Sequence, residues 1–214
     1  MDTRTREAIR YLGYGKHQVD EKVLQLIRES FEDLEKTASP KMTYCICPVS
    51  FPKAGKVIVD SFEIASKSLY KNLYGCREVV LFGTTLGAVI DARIRKQEVV
   101  DMSHAVIYQA CAAAYLEEYC DNMQEELSRM LKEKKQYLRP RFSPGYGDFS
   151  VLHQKDILGV LEAPKRIGLT MTDGYMLTPT KSVTALIGIS NTKEPCHKKG
   201  CEECEFSECA YRRS

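Results

Sequence analysis

Residues 103–136 carry the longest regular pattern in the sequence. Tyr108, Cys111, Ala112, Tyr115, Tyr119, Met123, Leu127 and Met130 recur at helical spacing on one face. A helix of that span is roughly 45–50 Å long at about 1.5 Å per residue. The whole chain has 214 residues, the length of one domain, or of one domain with a small appendage. Such a chain buries a sizeable core without covalent staples.

The elements around this helix are mixed. Residues 4–16 form a short helix ending at Gly-Tyr-Gly. A second starts at Asp20, whose carboxylate can cap the first free amides, and carries Val23, Leu26, Ile27, Phe31 and Leu34 inward. Residues 42–50 and 56–62 read as strands separated by Pro52 and Gly55. Residues 66–75 read as a helix stopped by Gly75, and 78–82 as a buried strand running through Gly-Thr-Thr-Leu-Gly into another helix. That glycine turn has neither the Lys-Ser/Thr of a phosphate loop nor a dinucleotide fingerprint, and is expected to be structural. Residues 152–168 are amphipathic and helical, interrupted at Pro164 and ended by Gly168. The segment 170–190 alternates as strands around a turn at Thr178–Lys181, with a hairpin expected there. The order predicts an α+β fold, a mixed or antiparallel sheet with long helices packed on it, rather than a βαβ array.

Charge and composition exclude several functions. With 31 basic and 29 acidic residues the net charge is +2, which gives no electrostatic case for nucleic acid. No apolar run reaches the length of a membrane span, and the N-terminus lacks the apolar stretch of a signal peptide, so a cytoplasmic location is expected. Of nine cysteines, Cys45 and Cys47 share a strand face and are expected in the core, as are Cys111 and Cys120 on the long helix. Four more crowd the tail, Cys196, Cys201, Cys204 and Cys209. Their C-x4-C-x2-C-x4-C spacing around Gly200 can wrap zinc or anchor an iron–sulfur cluster, the alternative being a thiol-rich tail without metal. The division expected is one domain over 1–190 and a Cys-rich appendage over 191–214.

Between the long helix and the next helical segment lies RPRFSPGYGDFS, residues 139–150, which no helix accommodates. One reading is a simple connection. The other is a ligand loop: Arg139 and Arg141 offer guanidinium forks for a carboxylate or phosphate, Gly145 bares the backbone, and Tyr146 offers a ring face. Together they suit a small zwitterion carrying an aromatic base.

Arg141-Phe-Ser-Pro-Gly-Tyr146 resembles the Arg-x-x-Pro-Gly-Tyr loop of the activation domain of cobalamin-dependent methionine synthase. His153 and the helix after it resemble the family's segment downstream of that loop. Pro179, Ser182 and Val183 match its Pro-x-x-Ser-Val turn into a strand, and the helix before Arg139 is similar too; the likeness covers about residues 105–190. The resemblance implies a domain that binds S-adenosylmethionine and docks on a cobalamin-binding methionine synthase or related corrinoid protein. There it supports reductive remethylation of cob(II)alamin, with flavodoxin or ferredoxin as electron donor. By position, Arg141 would hold the ligand carboxylate, Ser143 and Gly145 would give backbone contacts, Tyr146 would pack near the ligand, and Glu118 would meet its ammonium group. The chain departs from the pattern at Gly147-Asp148, where the family has Pro-Ala, and the aspartate would bring negative charge near the sulfonium. The family's N-terminal acidic contact and its downstream tyrosine have no counterpart, and no Asp-x-His-x-x-Gly cobalamin motif appears. The implied role is an accessory component of a methyltransferase, acting in trans with cobalamin carried by the partner. An alternative from another class is a redox or scaffold module whose tail carries the metal and whose loop docks a corrinoid protein without S-adenosylmethionine.

Overall fold

The computed structural model describes residues 2–14 and 17–193. The tail cysteines Cys196, Cys201, Cys204 and Cys209, and with them the expected metal site, lie outside the described residues. Helices α1 (Thr3–Tyr11) and α2 (Glu21–Thr37) lead into strand β1 (Lys41–Ser50), then β2 (Lys56–Val59), β3 (Phe62–Ala65) and α3 (Lys67–Leu73). After β4 (Glu78–Thr85) come α4 (Ala88–Val100) and the 31-residue α5 (Met102–Lys132). The chain continues through β5 (Tyr137–Leu138), α6 (Gln154–Val160), α7 (Ala163–Ile167), β6 (Thr170–Met171), β7 (Leu177–Thr178) and β8 (Ser182–Ser190).

Six strands make one sheet in the order β3-β2-β1-β4-β8-β5, with every neighbouring pair antiparallel. The α+β class read from the sequence is the class found. The sheet is covered on both faces, because its side chains alternate. Val80 and Phe82 of β4, with Ala185 and Ile187 of β8, pack against α1, α2, α4 and α5. Val79 and Leu81, with Leu186, pack against α3, α6 and α7. β8 is therefore buried over nearly its whole length and shows no polar alternation.

Several boundaries differ from expectation. Residues 56–62 are two strands, since the chain turns at Asp60, whose φ of 49° is the left-handed conformation an aspartate tolerates. The long helix buries two sides rather than one stripe. Ala105, Ile107, Ala110, Leu116 and Leu131 are buried as well, whereas Met130 is 49% exposed, because α5 packs against α1, α2 and α4 as well as the sheet. The break after residue 160 comes at Glu162 (φ 48°), while Pro164 sits in the first turn of α7, where its missing N–H costs nothing. The paired hairpin joins β6 to β7 around Thr172–Met176 rather than at Thr178–Lys181; β8 pairs with β4 and β5 instead.

At Gly188 the α3 layer and the Arg139 stem come close to β8. A Cβ there would lie 2.8 Å from Cys76 Sγ, 3.0 Å from Leu73 Cδ2 and 3.1 Å from Arg139 Cγ. Gly188→Ala is therefore expected to cost about 1–3 kcal/mol. A fall in the urea midpoint with unchanged slope would show it; an unshifted midpoint would mean α3 yields freely.

Candidate functional site

The 139–150 segment is built as an edge element followed by a tied bend. Arg139 N–H donates to Gly188 O (2.8 Å), and Phe142 exchanges two backbone bonds with Leu186 (3.0 and 2.9 Å). Phe142 turns into the α3–α6–α7 layer and stacks on Phe149 at 6.3 Å. Its neighbour Arg141 turns the opposite way, as successive side chains on extended backbone must, and so faces α5.

There Arg141 meets a polar face of the helix. Its Nη1 donates to Gln124 Oε1 at 2.9 Å, and its Nη2 to Glu117 Oε2 at 3.0 Å and Asp121 Oδ1 at 2.7 Å. Residues 117, 121 and 124 follow the helical i, i+4, i+7 spacing. The Arg141 side chain is 16% exposed, whereas Asp121 is 72% exposed and open to solvent. Burial pulls the guanidinium pKa down, but the bond to Asp121 and the charges of Asp121 and Glu117 outweigh it and raise it above the ordinary value. Three bonds leave two of the five guanidinium N–H groups open to another acceptor.

Glu118 is turned elsewhere. It lies 3.4 Å from Arg4 Nε on the α1 side of the helix. Consecutive helical residues point about 100° apart, so one position decides which arginine an acid meets. Glu117, Asp121 and Gln124 were not singled out in the sequence; the signal for them is a polar row at helical spacing within a helix otherwise buried on two sides.

Beyond Arg141 the bend is closed by its own backbone. Gly145 N–H donates to Phe149 O (2.7 Å), Tyr146 N–H to Ser143 O (3.2 Å), and Phe149 N–H to Tyr146 O (3.0 Å). Gly145 (φ 95°) and Gly147 (φ 54°) take left-handed conformations, and a Cβ on Gly147 would stand 2.9 Å from Ser68 Oγ. Pro144 and Phe149 are buried beneath the bend, and Tyr146 is 64% exposed above it. Ser143 is half-buried, and Gly145 and Tyr146 are exposed, on the bend that follows Arg141 in the chain. A ring stack continues below it, with Phe149 5.7 Å from His153 and His153 6.2 Å from Phe62. His153 Nδ1 lies 3.0 Å from Asp156 Oδ2.

Asp148 is a cap. Its Oδ1 accepts from Ser66 Oγ (2.6 Å) and Ser68 N–H (3.0 Å), and its Oδ2 from Lys67 N–H (2.7 Å), at the N-terminus of α3. That negative charge is thus engaged by the amides at the helix N-terminus. The Ser66 hydroxyl bond, with help from the two amides, holds this carboxyl well below its usual range. A carboxylate with a depressed folded-state pKa stabilises above its unfolded pKa, and that contribution is lost as pH falls below about 3.8. Asp148→Ala is expected to cost about 1 kcal/mol at pH 7, with the gap from wild type narrowing in strong acid. Equal melting temperatures at pH 7 would refute the cap.

Among the described residues no group of three or more His, Cys, Asp or Glu side chains is arranged to hold a metal ion. No helix among them is long and apolar enough to cross a membrane.

No protein-family profile matches the sequence, and no curated protein matches it. A solved structure does match: the crystal structure of the MetH reactivation domain bound to AdoHcy. It superposes with a TM-score of 0.60 at 15% sequence identity, covering 93% of this chain and 80% of that one. At this identity the likeness is one of architecture, and the chain has the fold of that reactivation domain.

Proposed function

We propose that the chain is an S-adenosylmethionine-binding activator that supports reductive remethylation of cob(II)alamin on a cobalamin-dependent methionine synthase or related corrinoid protein. One observation supports it above the others. A surface bend with exposed Tyr146 stands beside an arginine gripped by two acids, in a fold shared with a domain solved with S-adenosylhomocysteine.

The residues suit the methionine end of the ligand. Its carboxylate pairs with Arg141 by displacing Asp121, the more exposed of the two acids. Its ammonium group meets the acids on this face of α5. Glu117, which faces Arg141, is better placed for this than Glu118, which faces Arg4. The carbonyl and amide groups of Ser143–Gly145 and the Tyr146 ring then border the adenosine and sulfonium. The chain's own task is positioning, holding the sulfonium methyl towards a cobalt that the partner carries. Cobalt, when present in that partner, supplies the methyl-accepting centre once an electron has arrived from flavodoxin or ferredoxin. We assign residues 1–190 to this activity and 191–214 to an appendage whose four thiols suit zinc or an iron–sulfur cluster.

The test is a reconstitution. A cobalamin-binding methionine synthase without an activation domain of its own is incubated as cob(II)alamin with reduced flavodoxin and S-adenosylmethionine. Addition of the chain is expected to convert the cob(II)alamin spectrum to that of methylcobalamin. Conversion equally fast without the chain would refute the role.

A further inference from the structure

Strand β1 carries Cys45 and Cys47 on one face, where alternation turns both sulfurs towards α7 and the layer around it. The two Sγ atoms stand 3.6 Å apart. Cys45 is half-buried and reachable from solvent, and Cys47 is 6% exposed. Cys76, Cys111 and Cys120, the remaining described thiols, are all buried.

We propose that Cys45 and Cys47 form a two-thiolate site for a thiophilic cation, of which Cu(I) is the type. The separation suits it. Sulfurs 3.6 Å apart both lie within reach of one ion at metal–sulfur bonds of about 2.3 Å, and rotation of the two side chains opens the angle towards the wider geometry that a two-coordinate Cu(I) takes.

The alternative chemistry for two adjacent thiols is a disulfide, and the strand opposes it. Extended backbone places the two Cα atoms about 6.6–6.8 Å apart, at the upper limit of disulfide reach. Closing the S–S bond would also bend β1 where Cys45 and Cys47 pair with Leu81 and Val79 of β4. A metal spans the gap without moving the backbone. Burial pushes the Cys47 thiol up to about 12 and raises Cys45 as well, so both stay protonated at neutral pH until a cation displaces the protons. The step is two thiols plus Cu(I) giving a bis-thiolate copper complex, with two S–H bonds broken, two S–Cu bonds formed and two protons released to water. No oxidant is required. Soft sulfur favours Cu(I) over hard dications.

The test uses the full chain with C196S, C201S, C204S and C209S, which removes the competing tail thiols. It is titrated anaerobically with Cu(I) against a chromophoric Cu(I) chelator. One equivalent is expected to transfer from chelator to protein, and Cys45→Ser or Cys47→Ser to lose that uptake. Bound Cu(I) is also expected to shield Cys45 from iodoacetamide, read by peptide mass. This second reading decides the matter if the serine variants fail to fold. No transfer, unchanged transfer in the Cys45→Ser/Cys47→Ser double variant, or alkylation of Cys45 undiminished by Cu(I) would overturn the site. So would a Cys45–Cys47 disulfide formed in air in place of metal uptake.

Discussion

Arg141→Ala is expected to weaken S-adenosylmethionine binding by about 2–3 kcal/mol, roughly 30- to 150-fold, as the charge-assisted bonds to the ligand carboxylate are lost. Calorimetric titration of wild type and variant measures this. Arg141→Lys should recover only part of the affinity, because an ammonium is a point charge and cannot face α5 and the ligand in one plane. The acids give an internal comparison. Glu117→Gln is expected to weaken binding, whereas Glu118→Gln, whose partner is Arg4, should leave it near wild type. The reverse order would mean that the helix turns its acids differently when the ligand is bound. Equal affinity of Arg141→Ala and wild type would remove the arginine from the site.

Phe149→Ala is expected to be the most damaging single truncation near the bend. The ring is 1% exposed, stacks between Phe142 and His153, and its backbone accepts from Gly145 and donates to Tyr146. Emptying that volume should cost about 3–5 kcal/mol. For a chain of this length that corresponds to a fall in melting temperature of roughly 6–20 °C. Ligand affinity should fall as well, since the same ring fixes the underside of the 143–149 bend. A melting temperature within a degree or two of wild type would show that the bend is held by its backbone bonds alone.

Local signals carried much of the fold. The Asp20 cap is where the sequence placed it, with its carboxylate accepting from Val23 N–H at 2.9 Å, because capping depends on residues within one turn. Strand β1, the long helix and the glycine stop at residue 168 were legible for the same reason. Features decided by distant partners were not. The turn at Asp60 lies inside a segment that reads as one strand, although Asp-Ser between Val59 and Phe62 is a permissible tight turn. The burial of α5 on two sides depends on α1 and α2 lying across it, which no periodicity within α5 announces. At the site, Arg141 and the glycine bend were visible as residue types. Glu117 and Glu118 differ by one position, and the helix turns the first towards Arg141 and the second towards Arg4. The role of Asp148 required α3, eighty residues earlier in the chain, to bring Ser68 against it.

The direct test is a crystal structure of the chain grown with S-adenosylmethionine or S-adenosylhomocysteine. The expected density places the ligand carboxylate within hydrogen-bond distance of Arg141, its ammonium towards Glu117, and Asp121 turned away from the guanidinium. Ligand bound elsewhere, with Arg141 still closed on Glu117 and Asp121, would contradict the site.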